Sequence, residues 1–230
     1  VLMKTVFMKK VYQNLWLILQ AQARFYQSKP FATNGDVVLE YTDLLNRVQV
    51  IACYLKRTAT KPIIAINLTD PLDSICALFA VLVASKAYWV VDAGILKNID
   101  TAVTDQVSLF GEEEYQIALA LNNTDQFDFA ADLNANAAFC WTTSSGTVAI
   151  PKITAHSYAS IVEDTLRQID SNNITHADNL DMIATMSFSA SLATIFPAIY
   201  TGAAIHVLNN NSQVPAIYAF WQDKKTTMTT

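Results

Sequence analysis

From residue 36 onwards, short apolar runs alternate with segments whose apolar residues recur every three or four positions. The run PIIAINL at 62–68 is continuously apolar, as a strand buried on both faces requires. The segment TDLLNRVQVIACYLKR at 42–57 has its apolar residues on one helical face. Runs of the first kind predict strands near 62–68, 87–92, 137–142, 181–186 and 203–208. We therefore predict an α/β fold, a mainly parallel sheet flanked by helices.

Helix-end signals support this alternation. Asp70 followed by Pro71 has the form of an N-cap residue and a first-turn proline. Ser157 is placed to cap the next helix, and Gly202 to end a helix that contains Pro197. Weaker patterns predict strands at 36–41 and 106–111, and helices at 112–122 and 214–225.

Two apolar segments invite comparison with membrane signals. The first 26 residues carry early lysines, but polar residues such as Gln13 and Gln20 interrupt their apolar positions, which favours an amphipathic helix. The run from 75 to 91 is nearly long enough to span a bilayer, but Lys86 interrupts it. We interpret this run as a buried helix followed by a buried strand, with no membrane span.

Composition narrows the functional classes. Of 230 residues, 52% are hydrophobic and only 15% charged, which suits a compact domain with buried strands or a piece that packs against more protein. The net charge of −5 and the lack of a Lys/Arg stripe argue against nucleic-acid binding. Cys53, Cys76 and Cys140 all lie in apolar runs, which predicts reduced core thiols and a cytoplasmic location. No Cys/His spacing resembles a metal site.

The segment SSGTVAIPK at 144–152 carries the candidate chemistry, because it follows a predicted buried strand. Backbone N–H groups and hydroxyls in such a loop can surround phosphate oxygens, glycine allows close approach, and a lysine adds positive charge. Taken alone, the triplet SSG is most often an ordinary turn.

The surroundings of this loop change its interpretation. TTSSGTVAIPKITAHSYASI resembles the phosphate-binding signature [ST]-S-G-[ST]-[ST]-G-x-P-K of the adenylate-forming (AMP-binding) superfamily, which includes acyl-CoA synthetases and nonribosomal peptide synthetase adenylation domains. Three further stretches resemble that family in its order: LEYTDLLNRVQVIACYLK, LFAVLVASKAYWVVDAG and MSFSASLATIFPAIYTGAAIHVL. The resemblance implies that residues 1–230 are the N-terminal part of an adenylation domain, truncated before the family's later motifs.

The resemblance also implies an activity. Enzymes of this family join a carboxylic acid to ATP with Mg²⁺, release pyrophosphate, and pass the acyl adenylate to a thiol of CoA or of a carrier protein's phosphopantetheine. It assigns the ATP phosphates to Ser144, Ser145, Gly146, Thr147 and Lys152, and the substrate pocket to Phe188, Ser189 and His156. It identifies no catalytic residue and no metal ligand here, and the missing C-terminal part would be a necessary partner.

Four positions depart from the family pattern, and one of them is Lys86, which stands in place of a glycine of the turn before the strand at 87–92. Val148 replaces a hydroxyl and Ala149 replaces a glycine, which would cost about 1–2 kcal/mol if that glycine has positive φ. Ser189 replaces the aspartate that pairs with an α-amino group in amino-acid-activating relatives, so an α-amino acid is disfavoured as substrate. A non-catalytic adenylation-like scaffold and an unrelated α/β nucleotide-binding domain therefore stay open. So do simpler roles for Lys152, as an exposed lysine, and for His156, as a helix cap or packed side chain.

Overall fold

A computed structural model describes residues 14–91, 95, 103, 105–121, 136–144, 152–208 and 214–227. Seven α-helices lie within these ranges: α1 (Leu15–Tyr26), α2 (Tyr41–Thr58), α3 (Pro71–Val83), α4 (Glu112–Ala120), α5 (Tyr158–Asn172), α6 (Leu192–Thr201) and α7 (Val214–Lys224). The strands there are β1 (Pro30–Asn34), β2 (Val37–Glu40), β3 (Ile63–Asn67), β4 (Ala87–Val90), β5 (Val107–Gly111), β6 (Ala138–Ser144), β7 (Lys152–Ser157), β8 (Asn179–Met182) and β9 (Ala204–Val207).

The strands form two sheets. Sheet A has the order β2-β1-β9-β8, and sheet B has the order β5-β3-β4-β6-β7. Five of the seven pairings among the described strands are parallel, and the β1–β2 and β6–β7 pairings are antiparallel. The predicted α/β fold with mainly parallel strands and flanking helices is confirmed, with the correction that two sheets replace the expected single one.

Helix α3 lies between the two sheets and contacts β1 on one side and β3 and β4 on the other. Eleven of its thirteen residues are buried, which explains why the helix is apolar on every face. The ring of Phe79 packs 6.0 Å from both Phe31 of β1 and Phe196 of α6. The apolar run at 75–91 is therefore a buried helix followed by a buried strand, as predicted. Nowhere in the described ranges is a helix both long and apolar enough to cross a membrane.

Local sequence signals place the helix ends correctly. The Asp70 carboxylate accepts hydrogen bonds from the backbone N–H groups of Leu72 and Asp73, and Pro71 occupies the first turn. The Ser157 hydroxyl accepts from Ser160 N at 3.2 Å and caps α5. Gly202 follows α6 with φ 84°, the left-handed conformation that glycine favours.

Strands β1 and β7 were not predicted, and β8 begins and ends earlier than the expected 181–186. Both missed strands lack a long apolar run, and most of β7 is exposed or half-buried because it lies at the edge of sheet B. After Met182 the chain leaves sheet A although its sequence remains apolar. In the turn before β4 the residue with left-handed conformation is Ser85, with φ 61°.

The carboxyl ends of β3 and β4 in sheet B meet those of β8 and β9 in sheet A around one open cleft. We call this side of the molecule the carboxyl edge. Strand β6 runs parallel to β4, so its last residue, Ser144, lies on the same edge of sheet B.

The C-terminal end of α6 is bonded to side chains of α1, of the turn after it and of the first residue of α2. Four side chains, Gln22, Tyr26, Lys29 and Tyr41, donate hydrogen bonds to all six backbone carbonyls of residues 198–203. The last four carbonyls of a helix have no partner within the helix, so these bonds supply donors for them, and the Ala198 carbonyl also accepts from Gly202 N. We call this contact the α1–α6 junction.

Candidate functional site

The antiparallel β6–β7 hairpin carries the predicted phosphate-binding loop. Ser144 at the end of β6 pairs with Lys152 at the start of β7, so the intervening loop is anchored at the carboxyl edge. Lys152 is exposed. The other residues assigned to phosphate, Ser145, Gly146 and Thr147, lie outside the described residues, as do the two departures in the loop, Val148 and Ala149.

His156 lies on β7, four residues after Lys152. Its Nε2 atom is 3.0 Å from the hydroxyl oxygen of Thr142 on the neighbouring strand, and Thr142 is buried. This hydrogen bond holds the imidazole in place, and His156 lines a pocket together with residues of α5. His156 is thus neither a helix cap nor a fully packed core side chain.

Phe188 and Ser189 lie in the segment that joins β8 to α6. Phe188 is 39% exposed and directly precedes the 3₁₀-helix Ser189–Ser191. The Ser191 hydroxyl donates to the Phe188 carbonyl at 2.8 Å, which fixes the turn. Ser189 is exposed. Phe188 is therefore not a core residue.

A small pocket of about 170 Å³ brings two of the predicted residues together. His156 and Ser189 both line it, together with Asp164 and Gln168 of α5. The Gln168 amide donates to the Ala193 carbonyl at 2.7 Å and so links α5 to the start of α6. We call this cavity the helix pocket. Phe188 is not among the residues that line it.

A larger cavity, of about 300 Å³, lies at the carboxyl edge, and we call it the edge cleft. Thr69, Val91, Met182 and Leu208, each just beyond or at the end of a different strand, contribute to its walls. Sequence reasoning missed this cavity. The signal that could have found it is the general tendency of ligands to bind outside the carboxyl ends of parallel strands.

The described residues offer no nucleophilic thiol and no metal centre. All three cysteines are buried and unbridged, as predicted. Burial raises the pKa of Cys76 and of Cys140 to about 12, so both thiols stay protonated near neutral pH. No three His, Cys, Asp or Glu side chains in the described ranges cluster closely enough to hold a metal ion.

Comparison with known proteins found no matching protein-family model and no match among curated proteins. Solved structures do match. The N-terminal subdomain of NpsA from Klebsiella oxytoca matches 94% of this chain with a TM-score of 0.78 at 15% identity, over 60% of its own length. The nonribosomal peptide synthetase FmoA3, solved with AMPPNP bound, matches 94% at a TM-score of 0.73 and 17% identity, over 25% of its length. VinN with L-aspartate matches 94% at 0.73 and 12% identity, over 66% of its length.

NpsA also occurs as the adenylation part of an artificially fused adenylation–PCP di-domain. This chain has the fold of an adenylation-domain N-terminal subdomain. The resemblance noted in the sequence is thereby confirmed at the level of the fold. The chain spans between a quarter and two thirds of the length of these proteins. NpsA has been solved with 3-hydroxyanthranilyl-AMSN and with 3-hydroxybenzoyl-AMSN.

Proposed function

We propose that the chain is the N-terminal part of an enzyme that uses ATP to activate a carboxylic acid as an acyl adenylate. The acyl group then passes to a thiol, either CoA or a carrier protein's phosphopantetheine. The observation that carries this proposal is that the two ends of the SSGTVAIPK segment, Ser144 and Lys152, lie at the carboxyl edge that the edge cleft also borders, within an adenylation-type fold. Ligands of parallel α/β sheets bind at that edge.

In this proposal the loop acts by electrostatics. Backbone N–H groups and hydroxyls of residues 144–147 and the ammonium group of Lys152 hold the phosphates that leave as pyrophosphate. Such a reaction needs stabilisation of developing charge more than proton transfer, and the loop offers donors without a His–Asp pair. Mg²⁺ would supply further positive charge on the phosphates. The resemblance to the adenylate-forming family implies that the ligands of this ion would lie in the family's later motifs.

The acid is proposed to carry no α-amino group. Ser189 has no charge to pair with an ammonium group, although it faces the same helix pocket as His156. The imidazole of His156, held in place by the Thr142 hydroxyl, is proposed instead to pack against a neutral part of the substrate in this pocket.

The alternative is a non-catalytic scaffold with the same fold. Val148 and Ala149 favour it, because they remove a hydroxyl and a glycine from the phosphate signature. A lost charge-assisted hydrogen bond costs about 1.5–3 kcal/mol, enough to weaken phosphate binding by tenfold or more.

Carboxylate-dependent pyrophosphate exchange tests the proposal. We expect the full-length protein to exchange pyrophosphate with at least one acid from a panel without α-amino groups, and the 230-residue chain alone to stay at the blank rate. Lys152→Ala should lower exchange, whereas Arg24→Ala, which removes an exposed cation on α1, should not. Pyrophosphate exchange by the 230-residue chain alone would show that the groups needed for catalysis lie within these residues, contrary to the proposal. A full-length protein inactive with every acid would favour the scaffold.

A further inference from the structure

Helix α1 carries an exposed row of apolar side chains. The residues that the helix buries in the core are Leu15, Ile18, Leu19 and Ala23. On its other side Leu17, Ala21 and Phe25 are exposed, and their four-residue spacing places them in one row, which we call the α1 stripe. Leu17 is 47% exposed and Phe25 is 78% exposed, more than any other large hydrophobic side chain in the described ranges. Contiguous exposed apolar side chains mark interaction sites, whereas single ones are ordinary.

The charge beside the α1 stripe is positive. Arg24 is exposed next to Phe25, and it is the one charged residue in the sequence of α1. Gln20, one turn before it, is exposed and uncharged. A partner of this face therefore meets apolar side chains and a cation, and no carboxylate from α1.

Charge is distributed unevenly along the chain. The first acidic residue is Asp36, so residues 1–35 hold five cations and no Asp or Glu. The five are Lys4, Lys9, Lys10, Arg24 and Lys29. Since the whole chain has a net charge of −5, the remaining residues have a net charge of −10. A cationic segment on an otherwise acidic chain is typical of a surface that binds an anionic partner.

Lys29 belongs to the α1–α6 junction and not to this surface. Its ammonium group donates to the carbonyls of His176 and Gly202 and lies 4.9 Å from the ring centroid of Tyr26. Asp178 adds an opposite charge nearby. Four cations therefore remain for an anionic partner, the three early lysines and Arg24.

Residues 1–13 lie outside the described residues, but their sequence combines the two properties of the α1 stripe. Eight of the first twelve residues are hydrophobic and three are lysines. Binding to nucleic acid depends on cations that contact phosphates and requires no apolar side chains. Cations combined with Phe, Leu and Met side chains instead fit the boundary between the headgroups and the acyl chains of an anionic bilayer. The observations therefore favour lipid over nucleic acid.

We propose that residues 1–13 and the α1 stripe form a surface that binds peripherally to a membrane of anionic lipids. The early lysines and Arg24 contact the phosphates and carboxylates of the headgroups, while Leu17 and Phe25 insert between them. Helix α1 keeps its place in the fold, because the side chains that insert are those that the core leaves exposed. The proposal is independent of the proposed function, since it involves neither ATP nor the carboxyl edge.

Co-sedimentation of the 230-residue chain with lipid vesicles tests this surface. One set of vesicles contains phosphatidylcholine alone, and the other also contains phosphatidylserine. We expect the chain to bind the phosphatidylserine vesicles at least about tenfold more tightly than the others. High salt should weaken this binding, because it screens the attraction between the cations and the headgroups.

Replacing the early lysines tests the electrostatic part. The combined changes Lys4→Gln, Lys9→Gln and Lys10→Gln should weaken binding to phosphatidylserine vesicles about a hundredfold. The matched control changes net charge equally at three exposed cations elsewhere, with Lys152→Gln, Arg167→Gln and Lys225→Gln. The control should leave the affinity for vesicles unchanged.

Replacing Phe25 tests the apolar part. Phe25→Ala should weaken vesicle binding about tenfold, because the exposed ring supplies apolar contact with the bilayer. Leu109→Ala is the control, since Leu109 is 53% exposed on β5 and lies outside the α1 stripe. Both side chains are exposed, so both variants should keep the melting temperature of the wild type.

Four results would overturn the proposal. The first two are equal binding to both kinds of vesicle and binding to neither. The third is equal weakening by the early-lysine changes and by their control. The fourth is tighter binding of a single-stranded DNA oligonucleotide than of phosphatidylserine vesicles, which would make the cationic segment a nucleic-acid site.

Discussion

The two ends of α6 are held in different ways. At its C-terminal end, the α1–α6 junction brings side chains from distant parts of the chain onto every carbonyl of residues 198–203. In the segment that precedes its N-terminal end, the hydrogen bonds described for residues 185–191 join only residues within that segment, and the first long-range bond is the one from Gln168 to the Ala193 carbonyl. That segment lines parts of both cavities.

The difference separates a region that stabilises the fold, the α1–α6 junction, from a region that is free to bind a ligand, the carboxyl edge. Long-range bonds to buried carbonyls stabilise the packing of sheet A, since their loss leaves unpaired polar groups. Short-range bonds leave the carboxyl edge able to adjust around a ligand, as binding segments commonly do. Substitutions at the junction should therefore change stability, and substitutions at the carboxyl edge should change binding.

The largest expected effect comes from Gly202. A Cβ atom at this position would overlap the ring of Tyr26, and the residue has φ 84°. Gly202→Ala should lower the free energy of unfolding by more than the about 1–2 kcal/mol of the left-handed backbone alone. Gly35→Ala is the matched control, because Gly35 has φ 59° but open space around it. Urea unfolding of both variants measures the difference, and equal losses would contradict a tightly packed junction.

Tyr41 should have the next largest effect. Its hydroxyl is buried and donates to the Ala203 carbonyl at 2.8 Å and the Ala198 carbonyl at 3.3 Å. Tyr41→Phe leaves both carbonyls without this donor and should cost about 1–3 kcal/mol of stability. Tyr218→Phe, at an exposed tyrosine, should cost nothing measurable. Thermal denaturation of the pair tests this, and similar melting temperatures for both would count against it.

A smaller effect is expected from pH at His206. Burial and the positive charge of Lys224 lower the pKa of His206, while Asp223 opposes them. Thr33 Oγ1 lies 2.7 Å from Nδ1, and Asp181 is the register partner on β8. Because its pKa is lowered in the folded state, His206 binds a proton more readily in the unfolded chain than in the folded one. Stability should therefore fall as the pH drops below 6.5, the ordinary pKa of histidine.

His206→Gln tests this pH dependence by removing the titrating group. Urea midpoints at about pH 7 and about pH 5 should differ less in the variant than in the wild type. An identical pH dependence of the two proteins would show that His206 does not contribute to it.

Phe188 should have the smallest effect on stability. Its side chain is 39% exposed at the carboxyl edge. Phe188→Ala should change the free energy of unfolding by less than about 0.5 kcal/mol. Phe196→Ala, at a buried ring of α6, should cost about 3–5 kcal/mol. Calorimetric unfolding compares the two variants. A large loss of stability in Phe188→Ala would show that Phe188 stabilises the fold and is not a ligand-binding residue only.

Local signals made much of the fold predictable. The Asp70–Pro71 pair, Ser157 and Gly202 mark helix ends because their effects act within one turn of the chain. Strand β7 escaped prediction because its sequence KITAHS has no apolar run, and its pairing with β6 depends on residues across the hairpin.

The candidate site was predictable only in part. Motif resemblance led to His156 and Ser189, which the fold does bring to one pocket. The edge cleft depends on strand order, and hydrophobic periodicity does not specify which strands become neighbours. The division of the strands between two sheets could not be predicted for the same reason.

The most direct test of the assignment of SSGTVAIPK to phosphate is calorimetric titration of MgATP into the full-length protein in which residues 148 and 149 are changed to match the family signature. If the loop is a weakened phosphate site at the carboxyl edge, Val148→Thr with Ala149→Gly should tighten binding on the order of a hundredfold, with each single change doing less. Lys152→Ala should weaken whatever binding exists. An unchanged affinity of the double variant, in a protein that does bind MgATP, would contradict the assignment of this loop to phosphate.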